Sequence, residues 1–156
     1  MLRVGIAGLG FMGRIHYKYW KALQGAEVAA ICDANPNIEE DVKRAVGNIG
    51  EAEDAIDFAS LQLYTDFDKM LSDGELDAIS LTLPTYLHAD YSIKALAAGV
   101  NVLCEKPMTR FIAEGRAVAE AEKRYKRIFQ VGTFGRFGRS RDPRSIEIHK
   151  IMASGL

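Results

Sequence analysis

Leu2-Arg3-Val4-Gly5-Ile6-Ala7-Gly8-Leu9-Gly10-Phe11-Met12-Gly13 decides the fold, because an apolar strand pattern runs without a break into glycines spaced G-x-G-x-x-G. Each glycine has its own physical reason. Gly8 permits the tight turn out of the strand, Gly10 lets a pyrophosphate approach the backbone, and Gly13 lets the next helix pack close to the sheet. A helix that opens near Met12 turns its unpaired N–H groups and its positive dipole end toward those phosphates, which places Phe11 and Met12 beside the cofactor with the glycines.

Twenty positions beyond Gly13, Asp33 closes the next apolar run. A carboxylate at the end of a second strand accepts hydrogen bonds from both hydroxyls of an adenosine ribose and repels a 2'-phosphate. Strand, glycine turn, helix and acid together predict a dinucleotide-binding unit that takes NAD. Asn35 nearby softens that preference, and an acid here biases against NADP without excluding it.

The composition is that of an ordinary globular protein. The 156 residues suit one domain and are 48% apolar and 26% charged, with a formal net charge of -1. So weak a charge supplies no long-range attraction for nucleic acid or an anionic membrane. Cys32 and Cys104 each end an apolar run, and neither has a CxxC or Cys/His neighbour. They read as small buried hydrophobes, with no disulfide or metal site expected. Met1 leads straight into the first strand and no apolar stretch reaches the length of a membrane span, so a cytoplasmic protein is expected.

Short apolar runs alternate with helical patterns along the chain, the signature of right-handed beta-alpha-beta units and a doubly wound parallel α/β sheet of the Rossmann type. The pattern predicts strands at 2–7, 27–33, 63–65, 78–83, 101–105 and 128–133, and helices at 12–23, 36–47, 67–71, 87–98 and 110–126. Gly25 and Gly99 mark helix ends. The acidic stretch 47–62 lacks a clean period and reads as an inserted turn with irregular helix. Residues 1–134 form the expected dinucleotide-binding domain. Residues 135–156 read as a connector, where Arg136, Arg139, Arg141 and Arg144 alternate with Phe137 and small residues, followed by a helix from Pro143 through Ile151.

In a doubly wound sheet the ligand lies outside the carboxyl ends of the strands, so the residues just after each strand carry the chemistry. Leu83-Pro84-Thr85-Tyr86-Leu87-His88 follows the fourth strand and Cys104-Glu105-Lys106-Pro107-Met108 the fifth. Lys106 at a strand end would donate a hydrogen bond to a substrate oxygen whose carbon exchanges hydride. It would equally serve in a surface ion pair, and Glu105 would orient it or contact the cofactor. His88 is open between a capping or solvent-facing residue and a neighbour of the nicotinamide. His16 and His149 read as packing or surface residues, and Tyr17, Tyr19 and Trp20 as a packing face.

Taken together, Gly8 to Gly13 with His16, Leu83-Pro84-Thr85 with His88, Cys104-Glu105-Lys106-Pro107-Met108, and Gln130-Val131-Gly132 leading to Arg136-Phe137 resemble the Gfo/Idh/MocA oxidoreductases. That resemblance implies an N-terminal Rossmann domain that binds NAD or NADP and serves oxidation or reduction of a sugar, cyclitol or related polyol. It makes Lys106 the catalytic lysine and makes Leu83, Pro84, Thr85, His88 and Glu105 part of the cofactor wall, with Lys106 touching the cofactor as well. It further implies a second α/β domain, supplying most substrate contacts and the surface of a homo-oligomer, which would begin about where Leu156 stands. The resemblance therefore implies an active enzyme only in a longer parent. A stand-alone, non-catalytic dinucleotide-binding or redox-sensing module is the alternative.

Overall fold

A computed structural model describes residues 1–49 and 56–133. The connector, the helix expected at 143–151, His149, and part of the acidic stretch lie outside the described residues. Six strands form one parallel sheet in the order β3-β2-β1-β4-β5-β6. They are β1 Leu2–Ala7, β2 Ala26–Cys32, β3 Gln62–Tyr64, β4 Ala78–Leu81, β5 Asn101–Glu105 and β6 Phe129–Gly132. The helices are α1 Phe11–Ala22, α2 Ile38–Ile49, α3 Phe67–Asp73, α4 His88–Ala97 and α5 Ile112–Tyr125. The expected doubly wound fold is present, and the strand order reverses direction at β1.

Side-chain alternation assigns the two faces of the sheet. Ala7, Cys32, Ile79, Leu81, Val102 and Cys104 share one buried cluster with residues of α3, α4 and α5. Their neighbours Ile6 and Ile31 point the other way, into a second cluster with Tyr17 of α1 and Val42 of α2. Both faces of the central strands are apolar because parallel strands joined by crossover helices are covered on both sides. Ser80 is a polar exception on the α1 face, and its hydroxyl accepts a 2.8 Å hydrogen bond from the Trp20 indole N–H. Beyond β4 the α1 side changes character. Met12, Ile15 and Tyr19 face Leu103 and Gln130 across an apolar cavity of about 670 Å³.

Several element ends differ from the sequence pattern for local reasons. α2 begins at Ile38 rather than 36 because Asn35 holds a turn ahead of it: its amide donates to Asp33 Oδ1, and its own Oδ1 accepts from the Asn37 amide. β4 stops at Leu81, where Thr82 Oγ1 turns aside to the carbonyls of Ala7 and Gly8. α5 starts at Ile112, and Glu114 reaches back to accept from the amides of Arg110 and Phe111. The aromatic face on α1 is divided: Tyr17 is buried, whereas Tyr19 is 71% exposed.

Candidate functional site at the carboxyl ends of the sheet

Three turns converge where β1, β4 and β5 end. In the first, Gly8 has φ of 86°, and a Cβ there would stand 2.9 Å from the Thr82 carbonyl oxygen. A Cβ on Gly13 would collide with the carbonyl of Gly8 itself. These two glycines are demanded by the protein's own packing. Gly10 is different: a Cβ there would meet nothing within 4 Å. The protein makes no demand at Gly10, which leaves open space beside an exposed backbone where a ligand would pass. Gly10 also caps α1 without a side-chain hydrogen bond, and the first turn contains no acid. The leading N–H groups of a twelve-residue helix are therefore left to an incoming anion. The cradle fits a pyrophosphate.

Asp33 stands just past β2. Its Oδ2 accepts from the Leu9 amide at 2.8 Å and its Oδ1 from the Asn35 amide at 3.0 Å. Each carboxylate oxygen keeps a second lone pair for a hydroxyl. The acid therefore ties the glycine turn to the end of β2 while remaining able to read a ribose.

The second and third turns are joined from within. His88, the first residue of α4, is 1% exposed. Its Nε2 lies 2.8 Å from the carbonyl oxygen of Leu83 and its Nδ1 2.8 Å from that of Pro107. Glu105 is also buried, and both of its oxygens are engaged. Oε1 accepts from His16 Nε2 at 3.1 Å, while Oε2 accepts from the Lys106 amide at 3.0 Å. Gly132 lies opposite Glu105 on β6, and a Cβ there would stand 2.9 Å from Oε1. Lys106 itself is exposed, follows β5 directly, and is joined to Pro107 by a cis peptide bond. No other described residue forms an ion pair with its ammonium.

The structure places the residues that follow β1, β4 and β5 at the same edge of the sheet, in two layers. Gly10, Phe11, Pro84 and Lys106 are exposed on the cleft, and Met12, Thr85 and Leu83 are half-buried. His88 and Glu105 stand behind that surface and hold it. His16, whose sequence position suggests packing or the surface, is the buried partner of Glu105. The available signal was its position three residues after Gly13, which puts both on the sheet-facing side of α1. Gly132 stands in the sequence only within the Gln130-Val131-Gly132 motif, and strand register is what brings it to Glu105.

The cysteines supply no chemistry here. Burial pushes the Cys104 thiol up to about 12, with the Ser92 hydroxyl pulling the other way. Burial first, then the charges of Asp33 and Asp66, raise Cys32 to about 11. Neither is a thiolate at neutral pH, and both are free.

Residues 2–133 match the model of the Gfo/Idh/MocA family, an oxidoreductase family with an NAD-binding Rossmann fold. The chain belongs to that family. It is similar to an inositol 2-dehydrogenase of Arthrobacter sp. (strain FB24), with 36% identity over 139 residues, covering 87% of this chain and 37% of the relative. Among solved structures it is similar to a myo-inositol 2-dehydrogenase from Lactobacillus plantarum. The TM-score is 0.71 with 31% identity, covering 99% of this chain and 41% of the other. An apo scyllo-inositol dehydrogenase from Lactobacillus casei gives a TM-score of 0.71 with 27% identity, over 88% and 38% of the two chains. The chain thus spans about two fifths of the length of these family members. Among the described residues, no helix is long and apolar enough to cross a membrane.

Proposed function

We propose that this chain is the cofactor-binding part of an NAD(P)-dependent oxidoreductase that exchanges hydride with a CH–OH carbon of a cyclitol, sugar or related polyol. The observation that carries the reading is the pairing of an empty-sided Gly10 turn with Asp33. One presents unpaired helix N–H groups to a pyrophosphate, and the other presents lone pairs to a ribose. Both curated and structural relatives named as inositol dehydrogenases support the cyclitol class.

The dinucleotide, once bound, supplies the hydride acceptor or donor at its nicotinamide ring. The chain's own residues do the remainder. The first turn of α1 would bind the diphosphate, and Asp33 would orient the adenosine ribose. The Leu83–Thr85 turn, on the β4 side of the switch point, would form the wall at the nicotinamide end. Lys106 would donate a hydrogen bond from its ammonium to the reacting oxygen, stabilising negative charge there as the carbon gives up hydride. The proton on that oxygen would pass to a group outside the described residues. Homo-oligomer assembly and a cytoplasmic setting accompany this reading.

Calorimetry of the chain with NADH and NADPH tests the cofactor claim. Binding of NADH, tighter than NADPH, is expected, and Asp33→Ala should erase most of that preference, by about tenfold. A well-folded chain that binds neither dinucleotide at millimolar concentration would sink the proposal. In the enzyme carrying the full family length, Lys106→Ala should leave NADH affinity within about twofold while turnover falls by about 100-fold or more. Unchanged turnover would remove Lys106 from the chemistry.

A further inference from the structure

We infer that His88 is the positioning residue of the nicotinamide end, a bridge that sets the distance between the Leu83–Thr85 turn and the Lys106–Pro107 turn. The inference deepens the dinucleotide-binding reading and rests on it. His88 is all but removed from solvent, so it does not itself reach into the cleft. Its two ring nitrogens lie at equal distances, 2.8 Å, from two backbone carbonyl oxygens that belong to different loops. One of these, Leu83, immediately precedes Pro84 and Thr85, and the other, Pro107, is bonded directly to Lys106.

An imidazole is suited to this task by its shape. The two nitrogens sit on opposite sides of a rigid five-membered ring, so the ring donates to both carbonyls as the imidazolium and to one of them as the neutral imidazole, at a fixed separation in either form. Carbonyl oxygens only accept, so each contact is a hydrogen bond when the nitrogen facing it carries hydrogen. It is the ring that is buried, so a ring N–H left without these carbonyls would have no water to turn to, a costly state. The anchoring of the ring is equally specific: His88 opens α4, whose Ala89, Ser92, Ala95 and Leu96 are buried. A rigid helix thus fixes the ring, and the ring fixes both loops. Glu105 performs the complementary task on the other side of Lys106 by accepting from its amide. Lys106 is therefore held at its own amide and at the carbonyl of Pro107, while its ammonium has no ion-pair partner among the described residues.

The consequence is a split between the two ends of the cofactor. The adenosine and diphosphate contacts at Gly10 and Asp33 do not involve His88, so removing the bridge should affect only the nicotinamide end. The test compares NADH with ADP-ribose, which lacks the nicotinamide, on the wild-type chain and on His88→Phe and His88→Gln. Phe keeps a ring of similar bulk but donates nothing, whereas Gln can restore one amide donor. For His88→Phe, NADH affinity should fall about tenfold while ADP-ribose affinity stays within about twofold, which also shows that the variant is folded. His88→Gln should recover part of the NADH loss. In amide NMR spectra, Lys106 and Thr85 should shift in the Phe variant while Leu9 and Asn35 stay in place.

Equal loss for both ligands, or loss for neither, would overturn the bridge. If His88→Phe fails to fold, the Gln variant carries the same comparison, and a Gln variant with undisturbed Lys106 and Thr85 amides and unaltered NADH affinity is the overturning result. Failure of the underlying reading looks different, because the wild-type chain would then bind neither NADH nor ADP-ribose.

Discussion

The two ends of the cleft are built by different means. At the β1–β2 end the backbone does the construction: Gly8 and Gly13 admit close approach, and Asp33 accepts from two main-chain amides within 24 residues of chain. At the β4–β5 end buried side chains from distant elements do it. His16 of α1 meets Glu105 across 89 residues, and His88 of α4 reaches two separate loops. The backbone-built end is a cradle of main-chain atoms, braced from outside the β1–β2 unit by Thr82 after β4. The side-chain-built end depends on how the helices pack, so Lys106 acquires its position only when the whole sheet is assembled.

The largest effect should come from breaking the backbone-built end. Gly13→Ala drives a methyl group into the Gly8 carbonyl, and neither backbone can yield. A loss of about 3 kcal/mol in urea unfolding is expected, with NADH binding lost alongside. Wild-type stability in this variant would show that the turn is not the rigid element described.

An intermediate effect should come from the other end. Glu105→Ala leaves the His16 ring and the Lys106 amide without their acceptor and should cost about 2 kcal/mol. Gly132→Ala alone presses on Glu105 Oε1, but in the Glu105→Ala background that pressure is gone. A double-mutant cycle should therefore give a coupling of about 1 kcal/mol. Simple additivity would mean that the two residues do not meet.

The smallest effect compares the thiols that end β2 and β5. Both have folded values raised above the ordinary 9.0, to about 11 for Cys32 and about 12 for Cys104. Above pH 9 the unfolded chain releases these protons while the folded chain keeps them, so stability is full below that pH and declines as pH rises toward the folded values. Between pH 9 and pH 10, Cys32→Ala and Cys104→Ala should each flatten the alkaline fall in unfolding free energy by about 1 kcal/mol. Above pH 11 only the Cys104 contribution should continue to fall. A pH profile that neither substitution changes would show that the thiols are not held protonated by the fold.

Legibility followed the same division. The six strands, their parallel sense and the Gly8–Asp33 unit were readable, because a glycine turn and an apolar alternation act over a few residues. Element ends slipped by one to a few residues where a side chain intervened, as Thr82 does after β4 and Asn35 before α2. Lys106 was visible as a charged residue at a strand end, but its place between Glu105 and His88 was not. His88 left capping and active-site roles open because nothing in the sequence shows that Leu83 and Pro107 present carbonyls to the same ring.

By itself the sequence determined the fold class, the glycine turn and the charge that biases it toward NAD, since local sterics and hydrophobic periodicity act through neighbours in the chain. Only the tertiary structure decided which residues face the cleft and which support it. His16, His88, Glu105 and Gly132 meet through strand register and helix packing, and a buried polar group takes its role from the partner that satisfies it.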